Sequence, residues 1–72
     1  MALAVVIVGI THWHAPRYLR MLAGRGARVV GASDADAAAG AGVAAREGIP
    51  FLPDTAALLR TARPDLAVVL PR

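Results

Sequence analysis

Four short runs of apolar residues divide the chain, and alanine-rich or polar stretches separate them. The runs are continuous and rich in β-branched residues, which is typical of strands covered on both faces. The stretches between them have helical composition, so the pattern predicts a β-α-β-α-β-α-β order and, through right-handed crossovers, the parallel sheet of an α/β domain. The expected strand order is 3-2-1-4. The four runs are residues 3–9, 28–33, 49–52 and 66–71.

Proline and glycine positions shape the first two predicted helices. Pro16 suits the first turn of a helix, because its missing N–H is not needed there. The second predicted helix covers residues 34–48 and contains Gly40 and Gly42. Each interior glycine costs about 1 kcal/mol relative to alanine. We therefore expect this helix to depend on close packing against the sheet.

The third predicted helix lies between an acid and a proline. Asp54 is placed to cap its start, and Pro64 follows its last turn. The short strand before it contains Pro50, which cannot donate a ladder hydrogen bond. That strand is therefore expected near the edge of the sheet.

The chain has more apolar surface than a body of 72 residues readily covers, since 57% of its residues are hydrophobic and its mean hydropathy is +0.54. A domain of this size buries only about 60% of the surface that its unfolded chain exposes. We therefore expect residues 1–72 to be the N-terminal portion of a longer protein. The rest of this domain and a catalytic domain would lie outside it.

Cysteine is absent, which excludes disulfides and thiolate metal sites. The first apolar run has no basic residue before it and no small-residue cleavage site after it, unlike a signal peptide. It is also shorter than the roughly 20 residues that span a bilayer. A soluble, cytoplasmic protein without membrane contact is the simplest expectation.

Arginine supplies all eight basic residues, and the formal net charge is +3. Four arginines are spread along the first predicted helix and its exit, and aromatic residues for base stacking make up only 4% of the chain. This distribution favours a solvated helix face over a nucleic-acid surface. The four residues are Arg17, Arg20, Arg25 and Arg28.

The first strand runs into a loop that keeps part of a dinucleotide-binding fingerprint. The fingerprint has G-x-G-x-x-G at the first strand-to-helix turn and an acid about 20 residues later. The corresponding positions here are Gly9, Thr11 and His14, and Asp34 follows the second strand. Thr11 places a Cβ beside the expected pyrophosphate but adds a hydroxyl donor. The backbone amides of residues 10–14 and the following helix N-terminus are expected to attract an anion.

Asp34 has two interpretations. At the carboxyl end of the second strand, beside the glycine loop, its carboxylate would accept hydrogen bonds from an adenosine ribose. Alternatively, Ser33 or Asp34 caps the second helix, with Asp36 in its first turn. The position beside the loop favours the ribose.

Four segments together resemble the amino-terminal part of the glucose–fructose oxidoreductase/inositol dehydrogenase (Gfo/Idh/MocA) family. They are VVIVGITHWH, RVVGASDAD, GIPFLPDTAALL and RPDLAVVLP. The resemblance covers essentially the whole chain and depends on the order of individually weak motifs. Loss of the second and third loop glycines is its chief departure and concerns cofactor affinity. The ordered matches in the second half are Asp54, Leu58, Leu59, Asp65, Val68 and Pro71.

The resemblance implies a partial Rossmann-like sheet that binds NAD in an oxidoreductase acting on a sugar, cyclitol or similar small alcohol. An acid at position 34 with no arginine directly after it favours NAD over NADP. The family's catalytic lysine lies beyond residue 72, and this chain contains no lysine. It would therefore contribute binding and no catalytic residue. The implied cofactor contacts are Gly9, Ile10, Thr11, His12 and Trp13 for the pyrophosphate, Asp34 for the ribose, and Leu70 and Pro71 for the nicotinamide half.

His12 and His14 have three interpretations. They are loop residues beside an open cleft, or they supply charge or hydrogen bonds to the phosphates or the substrate. The third alternative is a metal-dependent hydrolase that begins its site with His12-x-His14, which would need a third protein ligand. Trp13, between them, is expected to be a hydrophobic plug over the loop, with a stacking platform as the alternative.

A non-catalytic nucleotide-binding module is a further alternative to the oxidoreductase. The expected partners are the dinucleotide and, through the remainder of the longer protein, a small-molecule substrate. Homo-oligomerisation of the longer protein stays open.

Overall fold

A computed structural model describes residues 2–71 as a small α/β domain with a three-stranded parallel sheet and three helices. The predicted class and the parallel strand direction are therefore confirmed. In chain order the elements are β1 (Ala4–Val8), α1 (Ala15–Gly24), β2 (Arg28–Ser33), α2 (Ala37–Glu47), α3 (Thr55–Ala62) and β3 (Leu66–Val69).

The central strand is β1, which pairs with β2 on one side and with β3 on the other. Its residue Ile7 lies opposite Ala32 of β2 and Val68 of β3. The side chains from Val5 to Ile7 are fully buried, which explains why the first apolar run is continuous. The sheet thus brings the carboxyl ends of all three strands to one edge.

The predicted strand at residues 49–52 is wrong. Phe51 forms only an isolated parallel bridge with Ala32, on the edge of β2 away from β1. The Ala32 amide donates to the Pro50 carbonyl at 2.9 Å, and the Leu52 amide donates to the Ala32 carbonyl at 3.0 Å. Pro50 has no N–H to extend this ladder toward the start of the segment. The observed sheet order is therefore β2-β1-β3, and a four-stranded 3-2-1-4 sheet is not formed.

Aspartates cap both α2 and α3. Asp54 accepts hydrogen bonds from the Ala56 and Ala57 amides at 2.9 and 3.2 Å, which confirms the predicted cap. The α2 cap is Asp36, whose carboxylate accepts from the Ala39 amide at 3.1 Å. The prediction that the second helix begins at residue 34 is wrong, and neither Ser33 nor Asp34 is its cap, because the backbone becomes helical only at Ala37.

The outer strand β3 is exposed over much of its length. Leu66 is 46% exposed and Val69 is 68% exposed. No helix within residues 2–71 is both long enough and apolar enough to cross a membrane.

The two glycines of α2 occupy different environments. A methyl group on Gly40 would lie 2.7 Å from Asp34 Cβ and 2.7 Å from Phe51 Cε1, so the helix approaches both residues closely there. A methyl group on Gly42 would meet nothing within 4 Å. The expectation of close packing therefore applies to Gly40 and not to Gly42.

This difference predicts opposite effects of the same substitution. Gly42→Ala should raise the free energy of unfolding by up to about 1 kcal/mol through helix propensity. Gly40→Ala should lower it by about 1–3 kcal/mol, because the added methyl overlaps its neighbours. Urea denaturation followed by circular dichroism measures both values. Equal effects of the two substitutions would contradict this account of the α2 packing.

Candidate functional site

A cleft of about 570 Å³ lies at the carboxyl edge of the sheet. Val8 at the end of β1, Asp34 just after β2 and Leu70 just after β3 all line it. In open parallel α/β sheets, ligands bind in crevices at this edge. Seven of the eight residues predicted for cofactor contact line the cleft: Gly9, Thr11, His12, Trp13, Asp34, Leu70 and Pro71.

Ile10 is the predicted contact that does not line the cleft. Its side chain is 1% exposed and belongs to the hydrophobic core under the loop. Its amide and the Gly9 amide both donate to the Ser33 carbonyl, at 3.3 and 2.9 Å respectively. Ile10 therefore anchors the loop to the end of β2.

Gly9 makes the turn out of β1 in a conformation that favours glycine. Its φ is +93°, and a methyl group at this position would lie 2.7 Å from the Leu70 carbonyl oxygen. The Leu70 amide donates to the Val8 carbonyl at 2.8 Å. The start of the loop is thus fixed against the end of β3.

Asp34 joins the loop to the segment that leads into α2. Its Oδ2 accepts from the Thr11 amide at 2.8 Å and from the Thr11 hydroxyl at 2.7 Å. Its Oδ1 accepts from the Asp36 amide at 2.9 Å. Asp34 is only 8% exposed, and hydrogen bonds to an ionised acceptor are stronger than those between neutral groups. We call the two bonds from Thr11 to Asp34 the Thr11–Asp34 clasp.

Most amides of the loop donate within the protein. Within residues 9–15, all of which the structure describes, only the Trp13 amide has no acceptor in residues 2–71. Besides the clasp and the Gly9 and Ile10 bonds to Ser33, the His12 amide donates to the Gly9 carbonyl at 3.0 Å, the His14 amide to His12 Nδ1 at 3.0 Å and the Ala15 amide to the His12 carbonyl at 2.9 Å.

The start of α1 offers no additional donor. The Arg17 and Tyr18 amides donate to the His14 carbonyl at 3.1 and 3.2 Å, and Pro16 has no N–H. The sequence predicts that the amides at this helix N-terminus attract an anion. In the structure the Arg17 and Tyr18 amides instead donate to a backbone carbonyl of the turn.

Trp13 is 78% exposed at the cleft, so the prediction of a hydrophobic plug is wrong. The centroid of the His14 ring lies 3.6 Å from that of the Trp13 ring, at an interplanar angle of 42°. His12 is farther away, with ring centroids 6.0 Å apart and planes 18° from parallel. The indole is therefore supported by an imidazole and remains accessible to a ligand.

The two imidazoles lie close together, with ring centroids 5.2 Å apart. His12 Nδ1 accepts the His14 amide, which occupies one of its two nitrogens. Among residues 2–71, no group of three or more His, Cys, Asp or Glu is arranged to hold a metal ion. The hydrolase alternative therefore has no three-ligand site in the described part of the chain.

Sequence reasoning missed Thr55 and Asp36 as cleft residues. The Thr55 hydroxyl lies 3.0 Å from the buried Ser33 hydroxyl, which ties the start of α3 to the end of β2. Both missed residues lie at or beside a helix start at the carboxyl edge of the sheet. A helix cap that directly follows a predicted strand was therefore the sequence signal that could have identified these two cleft residues.

Comparisons with known proteins identify no relative of this chain. No family model, no curated protein and no solved structure matches it.

The Thr11–Asp34 clasp predicts a measurable contribution from a single hydroxyl. Thr11→Val keeps the side-chain shape and the amide bond but removes the hydroxyl donor, so it should lower the free energy of unfolding by about 1 kcal/mol. Thr11→Ser keeps the donor and serves as the matched control. Urea denaturation compares the two variants. A valine variant as stable as the serine variant would show that the hydroxyl bond contributes nothing.

Proposed function

We propose that this chain is the nucleotide-binding portion of an NAD-dependent oxidoreductase of the Gfo/Idh/MocA type, acting on a sugar, cyclitol or similar small alcohol. The observation that carries the proposal is the convergence of the Gly9 loop, Asp34 and the Leu70–Pro71 segment on one cleft. These parts are far apart in sequence. Their meeting at the carboxyl edge of a parallel sheet is the arrangement that dinucleotide binding requires.

Asp34 is the residue for the adenosine ribose. An ionised carboxylate accepts hydrogen bonds and cannot donate them, so it matches a pair of neighbouring hydroxyls. Asp34 lines the cleft and is held in place by Thr11 and Asp36. A bound ribose would share the carboxylate with the Thr11 hydroxyl or displace it. The residue fits this half of the cofactor.

The charge around Asp34 favours NAD over NADP. The ionisable residues that line the described cleft are Asp34, Asp36 and His12. An additional 2′-phosphate would lie beside the Asp34 and Asp36 carboxylates, and no arginine directly follows Asp34 in the sequence to offset them. Repulsion between like charges at short range opposes that placement.

The remaining contacts follow the course of the cleft. The diphosphate would run along residues 9–13, where the Trp13 amide is the donor without a protein acceptor in residues 2–71. Leu70 and Pro71 would contact the nicotinamide half. NAD supplies the hydride acceptor when bound. This chain positions the cofactor, and groups that move the substrate proton belong to the remainder of the proposed longer protein.

The Rossmann-like sheet is part of the same proposal. The bridge between Phe51 and Ala32 supports it, because Phe51 takes the edge position expected of the third strand. The four segments therefore follow one another across the domain in the order Phe51, β2, β1, β3.

Titration with NAD tests the proposal through the single tryptophan of the chain. NAD should change Trp13 fluorescence, because the indole lies at the cleft. Asp34→Asn should weaken binding by about tenfold or more, since hydrogen bonds to a charged acceptor are lost. Asp54→Asn is the matched control: it also removes a carboxylate, and asparagine caps a helix as well as aspartate does.

Circular dichroism first establishes that both variants fold. Equal NAD affinity of the Asp34 and Asp54 variants would contradict the role of Asp34. Binding of NADP as tight as that of NAD by the unmodified chain would contradict the assigned cofactor. Absence of any NAD binding would end the proposal.

A further inference from the structure

Part of the cleft wall has no role in the contacts proposed for the cofactor. Residues 9–13 are assigned to the diphosphate, Asp34 to the ribose, and Leu70 and Pro71 to the nicotinamide half. Adenine is the one part of NAD that has no assigned contact. The described lining residues that remain for it are Val8, Ala35, Asp36, Pro53 and Thr55.

Thr55 is the member of this group whose side chain donates hydrogen bonds. The Asp36 carboxylate accepts from the Ala39 amide as the cap of α2, and the other three side chains are apolar. Thr55 is half-buried, and its hydroxyl lies 3.0 Å from the hydroxyl of Ser33. A directional contact from this part of the wall to a base would therefore come from Thr55.

Ser33 acts on the cleft only through Thr55. Its side chain is fully buried, and it does not line the cleft. Its carbonyl accepts hydrogen bonds from the Gly9 and Ile10 amides, so the first loop fixes its position. A ligand in the cleft cannot reach the Ser33 hydroxyl directly.

The burial of Ser33 determines which of the two hydroxyls donates. Each hydroxyl has one proton and can accept as well as donate. Within residues 2–71, these two side chains have no hydrogen-bond partner but each other. Because a buried donor without an acceptor is costly, Ser33 donates and Thr55 accepts. The Thr55 proton then stays available to an acceptor in the cleft.

We infer that the Thr55 hydroxyl donates a hydrogen bond to a ring nitrogen of the adenine of NAD, and that Ser33 orients this hydroxyl. Adenine ring nitrogens such as N3 and N7 are acceptors, so they match a hydroxyl proton. This inference rests on the proposed function and deepens it by assigning the base. Thr55 is the binding residue, and Ser33 is a positioning residue.

A hydroxyl deletion tests the contact by calorimetric titration of the 72-residue protein with NAD. Thr55→Val keeps the side-chain shape and removes the donor, so it should weaken NAD binding by about fivefold. Thr55→Ser keeps the donor and should bind NAD as the unmodified chain does. Equal NAD affinity of the valine and serine variants would overturn the inference.

The role of Ser33 is tested in both backgrounds. Ser33→Ala should weaken NAD binding in the unmodified chain, because Thr55 is no longer oriented, and should leave it unchanged in the Thr55→Val chain. An equal loss in both backgrounds would show that Ser33 does not act through Thr55.

Urea denaturation of the same variants separates binding from stability. Thr55→Val should lower the urea midpoint, because Ser33 is left buried without an acceptor. Adding Ser33→Ala should recover part of this loss, while NAD affinity stays at the level of Thr55→Val. NAD affinity that recovers together with stability would reduce Thr55 to a structural role and overturn the inference.

Smaller ligands locate the contact on the cofactor. Thr55→Val should weaken binding of AMP by the same factor as binding of NAD, because both carry adenine. Ribose 5-phosphate, which lacks the base, should bind no more weakly to the valine variant than to the unmodified chain. An AMP affinity that does not change while NAD affinity falls would place the contact outside the adenine half and overturn the inference.

The outcomes distinguish this inference from the proposed function. NAD binding that is independent of Thr55 leaves the proposed function standing and overturns the inference. AMP binding that depends on Thr55, without any NAD binding, supports the adenine contact and overturns the proposed function. If neither ligand binds, both are overturned.

Discussion

The carboxylate of Asp34 is the contact on which the cleft depends. It receives two hydrogen bonds from Thr11 and one from Asp36, so a single nearly buried side chain joins the first loop to the approach of α2. Gly40 lies directly against it, which brings α2 close to the end of β2. Because all these segments meet at one residue, the shape of the cleft and the position of its ligand acceptor are set together.

The parts of the fold that the sequence predicted are those governed by local chemistry or by complete burial. The run from Val5 to Ile7 is apolar at every position because β1 is covered on both faces and paired on both edges. Asp54 caps α3 because an aspartate before a helical segment has few other local roles. In both cases the residues within the segment itself are enough to indicate its structure.

The wrong predictions concern features that depend on contacts with residues distant in sequence. Residues 49–52 have strand composition, but they form only one bridge to β2, and Pro50 has no N–H to extend it. The SDAD segment holds two acids that both suit a cap, and the position of Thr11 determines that Asp34 turns to the loop while Asp36 caps the helix. The exposure of Trp13 and the inward-facing amides likewise depend on how the turn closes, which residue spacing does not encode.

The contact between Gly9 and the Leu70 carbonyl has a consequence for how such a protein can diverge. Position 9 has no room for a side chain, so mutation there disturbs the sheet before it reaches any ligand. Thr11 and Trp13 lie beyond this fixed point and are exposed. Replacing them alters what the cleft accepts while the strands stay in place. Evolution can therefore change ligand preference and architecture independently, with the glycine as the boundary between the two.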